Sequence, residues 1–397
     1  MTILVIGATG NIGRHVVTGL RDRGAAVRAL SRLPGADTVA GDLTRPETLH
    51  GPLSGVDSVF LLWPFFSADG VPAVLDVIAQ HANRVVYVSA LSAEGGGVWG
   101  EVEAAIRRTD LEWTFLRPGG FATNTLEWAG AIRAGRPVRM PYPDAGRSLI
   151  HERDIADIAV LALTEAGHAG RTYALTGPAV VTQAEQVRIL GEVAGRPAVV
   201  EEISAEQARA TMAWADETFV DAALGYWRTL VDDPEPVTTT VEEVTGRPAR
   251  TFTQWAHDHA DDFRPLPAAD VAERYVAAFR AGRMDQALRW AAPDMVRVAP
   301  LENGGKHVEL RGVADITANA ERLTGDVEIH AVEVDGPYPR GDRFAVRFSF
   351  DETDEPTGQR VSRTKLSLYT VADGVITREE VFYFDPPATG DRSAITG

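Results

Sequence analysis

Glycines at positions 7, 10 and 13 are the first residues whose spacing could do chemistry. The segment Gly7-Ala-Thr-Gly10-Asn-Ile-Gly13 follows a β-branched apolar run, Thr2–Ile6, and leads into Ile12, Val16, Val17 and Leu20 at helical spacing. A strand that turns through glycines into a helix suits a pyrophosphate, because the turn is tight, the backbone can approach closely and the helix N-terminus attracts an anion. Gly7, Thr9, Gly10, Asn11, Ile12 and Gly13 are therefore the expected cradle of a dinucleotide. The second strand, Ala26–Leu30, ends at Ser31 and Arg32, where a site for a free ribose diol would carry Asp or Glu. A guanidinium matches a 2′-phosphate bidentately, so the expected cofactor is NADPH, with Ser31 and Arg32 at that phosphate.

The elements that must position these residues follow from periodicity. Up to about residue 265, short apolar strands at Thr2–Ile6, Ala26–Leu30, Ser58–Leu62, Arg84–Ser89, Trp113–Leu116 and Thr172–Leu175 alternate with helical patterns, which predicts an α/β domain with a parallel sheet. Pairs such as Thr182 with Glu185, Ser204 with Gln207 and Thr251 with Gln254 mark helix starts by capping boxes. Asp261-Asp-Phe-Arg-Pro-Leu-Pro267 reads as a linker. Beyond it come helices through Val271, Tyr275 and Phe279, through Ala287, Leu288 and Ala291, and over Val313–Leu323. Strands near 327–335, 342–351, 360–371 and 375–384 complete an α+β domain. The expected division is 1–265 and 268–397.

Composition removes several classes of function. The 397 residues include no cysteine, which excludes disulfides, thiolate metal sites and thiol nucleophiles and agrees with a cytoplasmic location; no metal site is expected. A formal charge of −17 without a basic patch argues against nucleic acid, and no apolar run is long enough to span a membrane. The expected partner is a small-molecule substrate.

The glycine segment with Arg32, then Gly41-Asp-Leu43, Val85-Val-Tyr-Val-Ser89, Leu116-Arg-Pro-Gly-Gly-Phe121 with Asn124, Arg153-Asp-Ile-Ala156 and Tyr173-Ala-Leu-Thr-Gly-Pro178 resemble the NmrA-like group of atypical short-chain dehydrogenases/reductases. The resemblance implies a Rossmann-type fold. It also implies Asp42 and Leu43 by the adenine, Leu62 and Trp63 by the ribose and diphosphate, and Ser89 and Pro118 near the nicotinamide. Many members of this wider family reduce carbonyls with Tyr-x-x-x-Lys, in which lysine lowers the tyrosine pKa and tyrosine delivers the proton. The corresponding segment here is Ser92–Glu103, and the first 305 residues hold no lysine. Hydride transfer to a conjugated acceptor remains open, with His151 or Tyr142, water or the substrate itself supplying the proton. Glu101 and Glu103 are expected to decorate a helix surface.

Residues 268–385 resemble SnoaL-like proteins, whose curved sheet wraps helices into a cone. The motifs are Tyr275-Val-Ala-Ala-Phe-Arg-Ala-Gly-Arg-Met-Asp285, Leu310-Arg-Gly-Val313, Asp373-Gly-Val-Ile376 and Val381-Phe-Tyr-Phe-Asp385. A two-residue turn at Asp373-Gly374 pairs Ala372 with Val375. An unbroken ladder from that pair puts Leu366, Leu368, Glu379, Val381 and Tyr383 on one face, expected to be the concave one. Glu379 would then be a carboxylate among apolar side chains, raised in pKa and able to shuttle protons, with Tyr383 beside it. The opposite face, with Phe382 and Phe384, would suit a homodimer.

Together these residues predict an NADPH-dependent oxidoreductase acting on a small cyclic or conjugated metabolite of specialised biosynthesis. The cone would bind substrate or carry out a coupled cyclisation, dehydration or isomerisation. Two rivals stay open: a non-catalytic NADP(H) sensor or scaffold, and a cyclase or isomerase with a vestigial reductase domain.

Overall fold

The computed structural model describes residues 1–384 apart from 33–34, 36, 213–216, 303–305, 326 and 355–356, with the backbone alone at 300–302 and 306. Asp385 of the last cone motif and residues 303–305 of the loop before Lys306 lie outside the described residues. By internal contact the chain forms two compact units. The first comprises Met1–Thr125, Arg139–Ile189 and Val200–His259, the second Leu126–Val138, Leu190–Val199 and Ala260–Gly397.

The first unit is built on seven parallel strands: β1 (Thr2–Ile6), β2 (Ala26–Ser31), β3 (Thr38–Ala40), β4 (Ser58–Leu62), β5 (Arg84–Val88), β6 (Glu112–Pro118) and β7 (Arg171–Leu175). Their order in the sheet is β3-β2-β1-β4-β5-β6-β7. The direction of winding reverses between β1 and β4, which places a ligand crevice outside the carboxyl ends of the strands. Strands β1, β4 and β5 are buried almost throughout because helices cover both faces. Helix α1 (Gly13–Asp22) buries Val16, Val17 and Leu20 on one face. Helices α2 (Val71–His81) and α3 (Gly97–Arg107) pack into the core on the other side, and α4 (Glu152–Thr164) lies against α1. The capping boxes at Ser204 and Thr251 are both formed, the latter opening α6 (Phe252–Asp258) after α5 (Glu217–Thr229).

The second unit packs α7 (Ala268–Arg280), α8 (Met284–Leu288) and α9 (Val313–Thr324) with a six-stranded sheet. Its strands are β8 (Ala291–Glu302), β9 (Lys306–Arg311), β10 (Val327–Arg340), β11 (Arg343–Asp354), β12 (Gln359–Ala372) and β13 (Val375–Tyr383), in the order β9-β8-β13-β12-β11-β10. Among the described residues, only β8 and β13 pair in parallel within it. Two sequence expectations need correction here. Ala291 starts β8 rather than belonging to a helix, and β8 and β9 were absent from the expected strand set. The alternation Met295-Val-Arg-Val-Ala299 does carry a strand period, broken by Pro293 and Pro300. Segment 126–138 joins this unit through Arg133, a fully buried cation whose guanidinium donates to the carbonyls of Asp262 and Arg289 and lies 4.4 Å from the Trp290 ring.

The Asp373-Gly374 turn forms as expected, with φ of +50° and +74°. Ala372 pairs with Val375 and Val371 with Ile376, but the next pair is Thr370 with Arg378. Thr377 is an extra residue, a β-bulge, and it shifts the rest of the ladder by one. Glu379 therefore stands opposite Tyr369, and Val381 opposite Ser367. The inner face carries Ser367, Tyr369, Glu379 and Val381, all buried, whereas Leu366 and Leu368 lie on the outer face with Phe382 and Phe384. That overturns the expected place of the two leucines and keeps Glu379 inside.

Candidate functional site

The glycine loop is shaped by backbone sterics. Gly7 sits at φ +78°, and its carbonyl accepts the Gly10 N–H at 3.0 Å. A Cβ on Gly13 would lie 2.1 Å from that same carbonyl oxygen, so the start of α1 can approach the turn only through glycine. Asn11 Oδ1 is buried with no hydrogen-bond partner among the described residues. Such an orphan acceptor costs about 1–3 kcal/mol, and a ribose hydroxyl is a donor of the kind that would satisfy it. Arg32, at the end of β2, is exposed and makes no ion pair among the described residues, so its guanidinium is available to a phosphate. The residues present fit a dinucleotide.

The remaining expected cofactor residues lie along the same carboxyl edge. Ser31 accepts the Gly41 N–H through its carbonyl at 3.1 Å, which brings the Asp42–Leu43 turn beside β2. Asp42 Oδ1 accepts from the amide and hydroxyl of Thr44, both at 2.9 Å, so this carboxylate is held in a turn, and Leu43 is buried beside it. Leu62 ends β4, 3.6 Å from where a Gly7 side chain would stand. Trp63 is buried in the core, with its indole N–H donating to the Ser67 carbonyl at 2.8 Å.

Ser89 and Pro118 follow and end β5 and β6, and there a buried charged network appears that sequence reasoning missed. Glu103 is only 1% exposed and is not the surface residue expected of it. Its carboxylate accepts from Ser89 Oγ at 2.7 Å, from Arg117 Nε and Nη2 at 2.8 Å each, and from Arg107 at 3.1 Å. Burial alone would raise its pKa, yet the bonds from Arg117 and Ser89 and the nearby guanidinium charges hold it below the usual carboxylate range. It is therefore a fixed anion that clamps the ends of β5 and β6 to α3. The Glu103/Arg107 spacing was the only local signal; the Arg117 partner comes from a neighbouring strand.

The two expected proton donors of this unit make no hydrogen bond to that network among the described residues. His151 is the N-cap of α4, 1% exposed; its Nδ1 accepts the Arg153 N–H at 3.1 Å and its Nε2 lies 3.3 Å from Asp258. Next to it Glu152, equally buried, accepts from Trp255 Nε1 at 2.9 Å and lies 2.7 Å from His259 Nε2. Tyr142 occupies a turn at φ +54°; its carbonyl accepts from Gln183, and its phenol has no partner among the described residues.

In the cone, Glu379 is not surrounded by apolar groups as expected. Oε1 accepts from Ser367 Oγ at 2.8 Å and from the Tyr369 hydroxyl at 3.1 Å, and Oε2 accepts from Arg297 Nε at 3.1 Å. Tyr275 donates to the Tyr369 hydroxyl at 3.2 Å, completing a buried relay. Burial and the Glu379 charge raise the pKa of both phenols, so they remain protonated donors. Tyr383 is half-buried, its hydroxyl 3.5 Å from Arg297 Nη2. Arg297 was hidden from sequence reasoning because β8 was not recognised.

Comparison with known proteins agrees with both halves of this description. Residues 7–166 match the family profile described as NAD(P)H-binding, and residues 272–379 that of the SnoaL-like domain. A (4-alkanoyl-5-oxo-2,5-dihydrofuran-3-yl)methyl phosphate reductase of Streptomyces griseus is 38% identical over 281 residues, covering 66% of this chain and 99% of the relative. An NAD(P)H azoreductase of Xenophilus azovorans is 36% identical, with 66% and 99% covered. In fold, 66% of the chain superposes on the whole of Citrobacter sp. triphenylmethane reductase with a TM-score of 0.55 at 21% identity. Among the described residues no helix is long and apolar enough to cross a membrane. With a glycine loop, a seven-stranded parallel sheet and full-length relatives of this similarity, the chain belongs to the NmrA-like group of atypical short-chain dehydrogenases/reductases, NAD(P)H-binding proteins, and carries a SnoaL-like domain in its C-terminal part.

Proposed function

We propose that this protein is an NADPH-dependent reductase of a small cyclic or conjugated metabolite in specialised biosynthesis. The observation that carries the proposal is the open Arg32 guanidinium beside a glycine loop that leaves the Asn11 acceptor unsatisfied. Gly7, Thr9, Gly10, Ile12 and Gly13 would hold the pyrophosphate, Asn11 would accept from a ribose hydroxyl, and Ser31 and Arg32 would hold the 2′-phosphate. Asp42 and Leu43 would lie at the adenine, Leu62 and Trp63 at the ribose and diphosphate, and Ser89 and Pro118 at the nicotinamide. NADPH, when bound, would supply hydride.

Helix α3 contributes a locked carboxylate instead of an acid, so an acceptor that delocalises negative charge suits the site better than an isolated carbonyl. The Streptomyces relative is named for an oxo-dihydrofuran, a ring of that kind. Of the two proton-donor candidates Tyr142 has the freer group, because the His151 ring is engaged on both nitrogens. In the cone, Glu379 and Tyr383 would bind substrate or move a proton in a coupled cyclisation, dehydration or isomerisation, with Arg297 and Tyr369 orienting the carboxylate. The outer face with Leu366, Leu368, Phe382 and Phe384 would pair two copies in a cytoplasmic homodimer. Phe382→Glu should then shift the sedimentation of the full chain to that of a monomer.

Titration of NADPH fluorescence, followed by NADPH oxidation against butenolides, quinones, azo compounds and enones, tests the proposal. Binding with turnover of one class is expected. Binding without consumption across all of them would favour a sensor, the reading that the missing acid on α3 supports.

A further inference from the structure

Helix α5 is tied at one end to the segment that leaves β4 and at the other, through Glu235, to the segment that leaves β6. At one end Phe219 packs on Phe66, in the segment leaving β4, with ring centroids 4.7 Å apart. At the other end the Tyr226 hydroxyl donates to Glu235 at 2.9 Å. Glu235 is buried, accepts from Arg147 Nε at 2.7 Å and from the Ser148 N–H at 2.9 Å, and lies 3.6 Å from where a side chain on Gly119, just past β6, would begin. Phe219 and Tyr226 are seven residues apart, two turns and about 10.5 Å along one helix face. Strands β4 and β6 are separated by β5 alone, about 10 Å at ordinary strand spacing. The two lengths agree, as a helix bridging the segments that follow β4 and β6 requires.

Between its aromatic ends the same face of α5 carries Ala222 and Ala223, at i+3 and i+4 from Phe219. The neighbouring face buries Val220 and Leu224 in a small cluster with Ile203 and Ala208. Both rings are exposed, Phe66 at 51% and Tyr226 at 43%.

We propose that the alanine stretch of α5, closed at its ends by Phe66 with Phe219 and by Tyr226, is the acceptor slot, and that its occupant is a flat conjugated molecule of about two fused rings. The slot rests on the reductase reading, since the nicotinamide would approach from the β5 side. Aromatic walls favour a π-system by stacking. The roughly 10 Å length sets the size, and the alanines put no bulky side chain between the two ends. Phe66, Ala223 and Tyr226 are then the residues that determine acceptor shape.

The probe is menadione, a two-ring quinone, titrated into the full chain saturated with NADP⁺ and followed by ligand-observed NMR. Wild type should bind it saturably. Ala223→Phe should weaken binding about tenfold or more by filling the slot, and Phe66→Ala about three- to tenfold by removing one wall. Both variants should keep wild-type NADP⁺ affinity, which also reports that they fold. Absence of menadione binding to NADP⁺-loaded wild type, or unchanged affinity in both variants, overturns the slot. Menadione bound in the slot without NADPH oxidation would leave the slot standing and count against the reductase reading instead.

Discussion

Replacing each loop glycine by alanine should separate folding from binding within four residues. At Gly13 the new Cβ would stand 2.1 Å from Gly7 O, 2.7 Å from Gly7 C and 2.9 Å from the Ala8 Cα, all backbone atoms that no rotamer change can move. Overpacking of this kind costs about 1–3 kcal/mol or more. Alanine's helical advantage over glycine is at most about 1 kcal/mol, so the steric term wins. For a unit of this size each kcal/mol is worth about 2–4 °C, and Gly13→Ala should melt several degrees early. At Gly10, which is exposed, the only close atom is Gly7 O at 3.2 Å. The folding cost should stay within about 0.5–1 kcal/mol, but the methyl would occupy the surface that the pyrophosphate must approach. Gly10→Ala should therefore keep its melting temperature within about 2–3 °C and lose NADPH affinity by about ten- to a hundredfold, or 1.4–2.8 kcal/mol. Thermal melts and fluorescence titration of the two variants read both quantities. Wild-type NADPH affinity in Gly10→Ala would refute the cradle, and wild-type stability in Gly13→Ala would refute the close approach.

Arg32→Ala should weaken NADPH by about ten- to a hundredfold while leaving NADH nearly unchanged, because an exposed guanidinium gives about 1.5–3 kcal/mol to a phosphate only if the phosphate is there; equal losses for the two cofactors would remove the 2′-phosphate assignment. Burial and the Arg14 charge lower His15 to about 4, so it is neutral in the fold and takes up a proton on unfolding; stability should fall as pH drops from 6.5 to about 4, on the order of 2–3 kcal/mol, and His15→Asn should flatten that slope in urea unfolding. Glu152 acts in a different window. Burial alone would raise it, but its contacts with His151 and His259 hold it far below the carboxylate range, so its contribution is complete above about pH 4.5 and is lost only below; Glu152→Gln should cost about 3–5 kcal/mol at pH 7 and progressively less below that point. In the cone, Glu379→Gln should preserve the near-ultraviolet dichroism of the buried tyrosines while abolishing any chemistry of the SnoaL-like domain, and an undiminished rate would make the Arg297 pair structural.

The cofactor half was legible in sequence because its determinants are local. A glycine forced to φ +78° at position 7, a glycine needed for close approach at 13 and a basic residue at the end of the next strand lie within 32 residues, and the strand–turn–helix period around them admits one arrangement. The absence of lysine before residue 306 likewise settled from composition alone that no Tyr-x-x-x-Lys pair exists in that half. Tertiary structure decided the rest. Glu103 reads as one more helix carboxylate until Ser89, just past β5, and Arg117, from β6, close around it. The inner face of the cone turned on Thr377: a single bulged residue exchanges Leu366 and Leu368 for Ser367 and Tyr369, and period-two counting cannot detect it because both alternatives alternate equally well. What a side chain can do was written in the sequence; which distant strand supplies its partner depended on register and burial, which only the folded chain sets.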